Sequence, residues 1–167
     1  MLLHKIWRSK NIKVSTKKKL VRALVFPVAM YGCETWTMKN EDRRRVLAME
    51  MWCWRRMLQI SWTEKVTNDE VRRRIGTHLN LDALMLKHKL TYFGHVVRGN
   101  GLEKSIMLGM GEGGRGRGRP RRRWMDEVTE STGMKIWEAQ EAAGDRYGWR
   151  RLVMEIARGR KRPDGTR

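Results

Sequence analysis

The sequence predicts a mainly α fold, and three observations carry that reading. Apolar residues recur at three- and four-residue steps in several segments, which places them on single helix faces. Residues that cap helices, such as Asn40 and Thr67, precede these segments, and glycines such as Gly76 and Gly133 follow them. Nowhere is there a sustained apolar–polar alternation, nor an Asn-Gly or Asp-Gly pair between strand-like runs. The 167 residues are 40% hydrophobic, enough apolar material for one core.

The elements follow in order. Ser15 or Thr16 caps a first helix that runs through Lys17, Lys18 and Lys19, with Leu20, Leu24, Val28 and Tyr31 as its apolar stripe. Pro27 lacks a backbone donor and is expected to kink or break it, and Gly32 to end it. A second helix starts near Asn40. Leu47, Met51, Trp54 and Leu58 form its apolar face, flanked by Val46, Glu50 and Met57, with the arginines mostly elsewhere on the wheel. Thr67 with Glu70 fits a capping box and opens a short helix through Val71 and Ile75, closed by Gly76. Asn80 or Asp82 opens another, with Leu84, Leu86, Leu90, Phe93 and Val97 as apolar positions and Lys87, His88 and Lys89 between them. Pro120 suits a helix first turn, followed by Trp124 and Val128 one turn apart. After Gly133 come two last helices, near Met134–Ala143 and Asp145–Ala157. Their candidate core is Trp137, Trp149, Leu152, Val153 and Ile156.

Six of the sixteen glycines fall between Gly109 and Gly118, a density that disfavours regular structure. The expected plan is a helical bundle over 1–108, a Gly/Arg-rich linker over 109–118, a short C-terminal helical segment over 119–158 and a basic tail over 159–167.

Charge narrows the function classes. Lys and Arg number 37 against 18 Asp and Glu, a net +19, which points to a polyanionic partner, nucleic acid ahead of an anionic membrane. Two cysteines, Cys33 and Cys53, make no disulfide framework, and with four histidines they fit no zinc-finger spacing. A zinc site built from Cys33, Cys53, His88 and His95 is the weaker alternative to no metal at all. The longest apolar run, Ala23 to Cys33, is interrupted by Pro27 and falls short of the ~20 residues of a membrane span. No secretory signal opens the chain. Its first 33 residues hold eight Lys or Arg and no acid, but are more Lys-dominated than a mitochondrial presequence.

The sharpest local signal is Gly116-Arg117-Gly118-Arg119-Pro120-Arg121-Arg122-Arg123. Its Arg-Gly-Arg-Pro centre looks like an AT-hook, in which two arginines enter a narrow A·T minor groove. General phosphate binding by Arg115, Arg117, Arg119, Arg121, Arg122 and Arg123 is the broader expectation, and a plain basic linker the bland one. Lys17, Lys18 and Lys19 are the second candidates, because cations at a helix start oppose its dipole; the ordinary reading is solvated surface. Of the eight tryptophans, Trp54 belongs to an apolar stripe. Trp52, on the other side of that helix, is the candidate platform for base stacking. No catalytic constellation stands out. A phosphate-binding Gly-Lys-Ser/Thr loop and a paired-aspartate metal motif are both absent, and Asp42, Asp69, Asp82, Asp126, Asp145 and Asp164 are scattered, mostly at helix starts. Neither a cofactor nor a small-molecule substrate is expected.

Six strings in order carry a resemblance: Ile6-Trp7-Arg8-Ser9-Lys10-Asn11-Ile12; Val25-Phe26-Pro27-Val28 with Tyr31-Gly32-Cys33-Glu34-Thr35-Trp36; Trp54-Arg55-Arg56-Met57-Leu58; Val71-Arg72-Arg73-Arg74; Phe93-Gly94-His95-Val96-Val97-Arg98; and Gly118-Arg119-Pro120-Arg121-Arg122-Arg123-Trp124. From about Lys5 to about Val153 the chain resembles the region downstream of the polymerase domain in non-LTR (LINE-type) retrotransposon endonuclease–reverse transcriptases. The resemblance implies the end of a thumb and a C-terminal extension, gripping template RNA or target DNA. It carries over no catalytic residue, since the family's palm and endonuclease motifs have no match here. The Cys-Cys-His-Cys cluster of some related elements is likewise missing. The expected function is nucleic-acid binding without enzyme activity. The alternatives are a structural remnant whose apolar faces need the missing palm domain, and a piece of a longer RNA-directed DNA polymerase. The basic run Arg115–Arg123 suggests a nuclear location.

Overall fold

The computed structural model describes residues 5–7, 9, 11–77, 79–109 and 122–160. The chain is mainly α: the described residues form nine α-helices and no strand. They are α1 (Val14–Leu20), α2 (Phe26–Ala29), α3 (Asn40–Leu58), α4 (Asn68–Ile75), α5 (Leu81–Arg98), α6 (Leu102–Met107), α7 (Trp124–Thr132), α8 (Ile136–Gly144) and α9 (Arg146–Gly159). Contacts divide the chain into two compact units, Met1–Tyr31 with Asn40–Asp82, and Gly32–Lys39 with Ala83–Arg167.

In the first unit α3 supplies the core face: Leu47, Met51 and Trp54 of the expected stripe are buried, Leu58 is only half-buried, and the flanking Met57 and the unanticipated Cys53 are buried with them. Phe26 meets the Trp54 ring edge-on, centroids 5.4 Å apart, a favoured aromatic arrangement. The expected stripe of the first helix is corrected. Leu24, Val28 and Tyr31 are 52%, 78% and 85% exposed and Leu20 is half-buried, while Val21 and Phe26 are the buried residues. The reason lies at Val21–Val25, a wide turn in which the Phe26 N–H reaches back five residues to the Val21 carbonyl. Residues five apart then share a face, and a four-residue stripe slides off it. The turn sits directly before Pro27, whose ring would press on a carbonyl four residues back and which has no N–H to give. Proline therefore widens the helix instead of ending it. Downstream, Thr67 Oγ1 accepts the Glu70 N–H at 3.3 Å to start α4, the forward half of the expected capping box, while the Glu70 carboxylate turns to Arg73 and Arg74; Gly76, at φ 62°, closes the helix as expected.

Charged side chains enter this core. Glu50, expected at the flank of α3, is 1% exposed; its carboxylate accepts Trp54 Nε1 at 3.1 Å and the Leu81 N–H at 3.0 Å. Asp82 takes Arg43 in a two-pronged pair, Nε to Oδ1 at 3.0 Å and Nη2 to Oδ2 at 2.9 Å.

In the second unit, Leu86, Leu90, Phe93 and Val97 of α5 share one core with Met125, Val128, Ala139, Ala143, Trp149 and Val153. Helices on either side of the glycine-rich stretch thus contribute to one core, and the two units part in sequence after Asp82. Residues 110–121 lie outside the described set, so the expected linker and the Pro120 first turn fall there; the following helix begins at Trp124, capped by the Asp126 carboxylate on the Arg123 N–H at 2.6 Å. The basic tail beyond Arg160 also falls outside the set. Trp137, expected in the core, is 60% exposed with Lys135 Nζ 4.8 Å from its ring centroid. Ala139 and Ala143, on the other face of α8, are buried in its place. Lys89, which lies between the apolar positions of α5, is buried. Its ammonium binds Glu127 Oε2 at 2.5 Å, also donates to the Trp36 carbonyl and lies 5.2 Å from the Trp124 ring centroid. Among the described residues no helix is long and apolar enough to cross a membrane.

Candidate nucleic-acid interface

The basic residues singled out in the sequence divide sharply by environment. Lys17 is buried and its Nζ donates to the Trp7 carbonyl at 2.7 Å, which removes it from the set that could reach a phosphate. It sits one turn before Val21 on the buried side of α1, so its stem packs while its charge binds backbone. Lys18 is likewise committed. Its Nζ donates to the carbonyls of Ile75 and Gly76, both at 2.8 Å, closing the C-terminal end of α4. Burial, and to a smaller extent the neighbouring Arg22, push its pKa down. Lys19 alone of the three is exposed.

Trp52 is 55% exposed, while Trp54 two residues on is fully buried. The Trp7 ring meets Trp52 edge-on at 5.8 Å, and the Arg56 guanidinium lies 5.6 Å from its centroid. Trp7 holds the indole in place and Arg56 adds charge beside its face.

Of the arginine run, Arg115, Arg117, Arg119 and Arg121 lie outside the described residues. Arg122 is paired with Glu130 at 2.6 Å, and Arg123 is exposed at the start of α7.

The second unit also contains a basic groove that sequence reasoning missed. A cavity of about 910 Å³ is lined by Lys87, His88, Thr91, Tyr92, His95 and Arg98 of α5, by Arg146, Trp149, Arg150, Val153 and Met154 of α9, and by Glu34. An adjoining cavity of about 530 Å³ shares Tyr92, His95, Arg98 and Arg146. Four permanent cations thus stand against one carboxylate in the larger cavity. Its apolar lining is the less exposed part: Trp149 and Val153 are buried, and Tyr92 and Met154 half-buried.

The local sequence explains this arrangement. On α5, Lys87, Thr91, His95 and Arg98 recur at helical spacing on the face beside the buried Leu86, Leu90, Phe93 and Val97. On α9, Arg146 and Arg150 lie one turn apart. Trp149 is fixed by donating Nε1–H to the Leu90 carbonyl at 2.9 Å. Arg98 Nη1 donates to the Ala143 carbonyl at 2.7 Å, at the end of α8. The polar recurrence on each helix was the only sequence signal, and it does not say that the two faces meet.

Among the described residues no group of three or more His, Cys, Asp or Glu could hold a metal ion, so the Cys33, Cys53, His88, His95 alternative is not assembled. Both thiols are free and buried. Burial, with Glu34 adding to it, raises the Cys33 pKa to about 11, far from the thiolate range of a nucleophile. Comparison of the chain with known protein families, curated proteins and solved structures returned no match.

Proposed function

We propose that the chain binds the sugar–phosphate backbone of nucleic acid and performs no catalysis of its own. In this reading it is a C-terminal, post-palm piece of a non-LTR retrotransposon reverse transcriptase, acting in the nucleus. The observation that carries it is the groove between α5 and α9, where Lys87, Arg98, Arg146 and Arg150 face Glu34 as the one carboxylate. Cations clustered in a concave site raise the local concentration of a polyanion far more than the same charges scattered. The exposed Arg123 and Lys19 and the Trp52–Arg56 pair add contacts of the same kind.

The test is fluorescence anisotropy over a salt series with an A·T-rich duplex, a G·C-rich duplex and a structured RNA. Backbone binding predicts measurable affinity for all three, falling with salt by about 0.9 in log affinity per log salt for each duplex phosphate neutralised. Preference for the A·T duplex would promote Arg117 and Arg119 to minor-groove readers. Absence of binding at low salt would contradict the proposal.

A second reading has its own support. The exposed Leu24, Val28 and Tyr31 follow one another at helical spacing and form an apolar ridge on the first unit. Such a ridge suits a face shaped to pack against the polymerase palm of a longer chain. Self-association of the purified chain through that ridge, with no nucleic-acid binding, would favour this reading over the first.

A further inference from the structure

The groove between α5 and α9 has two chemistries in one concavity, and a phosphate backbone alone uses only one of them. Its walls carry Lys87, Arg98, Arg146 and Arg150, with His88 and His95 beside them. Its apolar lining is Tyr92 and Met154, half-buried, over the buried Trp149 and Val153. A duplex keeps its bases paired inside and turns phosphates outward, so it would meet the walls and leave the apolar lining wet. An unpaired strand can do both, setting phosphates against the walls and a base face against the apolar side chains. The volume of about 910 Å³ lies in the size range of sites that enclose small organic groups, and so suits one or two nucleotides. The aromatic geometry is fixed beforehand: Trp149 is tied to the Leu90 carbonyl, and Tyr92 meets the Trp124 ring edge-on at 6.3 Å. A platform held in place gives up little freedom when a base arrives.

We infer that the α5–α9 groove is a site for unpaired nucleotides, so that the chain prefers single-stranded RNA or DNA to duplex. This rests on the nucleic-acid-binding reading above and adds the substrate class to it. Tyr92 is the residue assigned to the base, and Lys87, Arg146 and Arg150 are those assigned to phosphates.

The experiment measures binding of the whole chain to a single-stranded RNA, a single-stranded DNA of matching sequence and the corresponding DNA duplex, all at one salt concentration. The expected result is ~10-fold tighter binding of the single strands than of the duplex. Tyr92→Ala abolishes that preference and Tyr92→Phe, which keeps the ring, retains it. NMR of the unaltered protein gives a readout independent of any effect of Tyr92→Ala on folding: the Trp149 indole N–H resonance shifts with single strands and stays in place with duplex. Tighter RNA than DNA binding assigns the site to RNA, and equal binding assigns it to either strand chemistry. Equal affinity for single strands and duplex, or a preference that survives Tyr92→Ala, overturns the inference and leaves backbone binding standing. No binding of any probe overturns both.

Discussion

At Gly94 an added β-carbon would stand 2.5 Å from both Cδ1 and Nε1 of Trp149. Trp149 lines the groove and is part of the second core, so Gly94 is the point where α9 approaches α5 closely enough for one side chain to serve both. Gly94→Ala is expected to cost about 1–3 kcal/mol through forced repacking, read as a lowered midpoint in urea unfolding, and to weaken binding along with it. A neutral Gly94→Ala would mean that Trp149 has room to move. Glu50 makes a second residue-scale case. Burial raises its carboxyl pKa above the ordinary 4.5, against the opposing pull of the Leu81 N–H and Trp54. The folded state therefore holds that proton more tightly than the unfolded chain. The associated stability is complete below about pH 4.5 and is lost as pH rises through the folded value. The melting temperature of the wild type should accordingly fall relative to that of Glu50→Gln as pH is raised from 4 to 8. A difference that stays constant, or that moves the other way, would show that Glu50 is not held as described.

At the scale of elements, the wide turn at Val21–Val25 decides which residues of the α1–α2 segment are buried. Phe26→Ala is expected to cost about 3–5 kcal/mol, as for a buried aromatic, whereas Leu24→Ala on the exposed side should stay within about 0.5 kcal/mol. Comparable losses in chemical denaturation would restore the four-residue stripe. The same segment shows why sequence reasoning reached some elements and missed others. The helix between Thr67 and Gly76 was legible because its start and stop are local chemistry, a hydroxyl accepting an N–H and a glycine at φ 62°. The apolar face of α3 was legible because no proline disturbs its period. Pro27, by contrast, allowed either a kink or a break, and only the path of the backbone shows a widened turn. Lys17, Glu50, Lys89 and Glu127 were illegible as buried groups, since charged side chains are normally exposed and the Glu50–Leu81 and Lys89–Glu127 contacts join residues more than thirty positions apart. Trp137 was misplaced for the converse reason: a large aromatic ranks as core by its chemistry, while α8 packs through Ala139 and Ala143.

For the molecule as a whole, net charge raises the expectation of a polyanionic partner, and the structure adds where cations collect in the second unit. Lys87 and Arg98 come from α5, Arg146 and Arg150 from α9, and no sequence window contains both pairs. Trp52 and Arg123 were visible in sequence as candidates and are exposed, while Lys17 and Lys18 were visible and are engaged by backbone carbonyls. The measurement that bears hardest on the groove is the salt slope of duplex binding for the wild type beside Arg146→Glu/Arg150→Glu. Both side chains are exposed, and an acid at 146, the first residue of α9, favours its dipole, so the fold should survive the exchange. Loss of two phosphate contacts is expected to weaken binding and to flatten the slope of log affinity against log salt by about 1.8. A double variant that melts like the wild type and binds with an unchanged slope would place the phosphate contacts elsewhere and contradict the groove assignment.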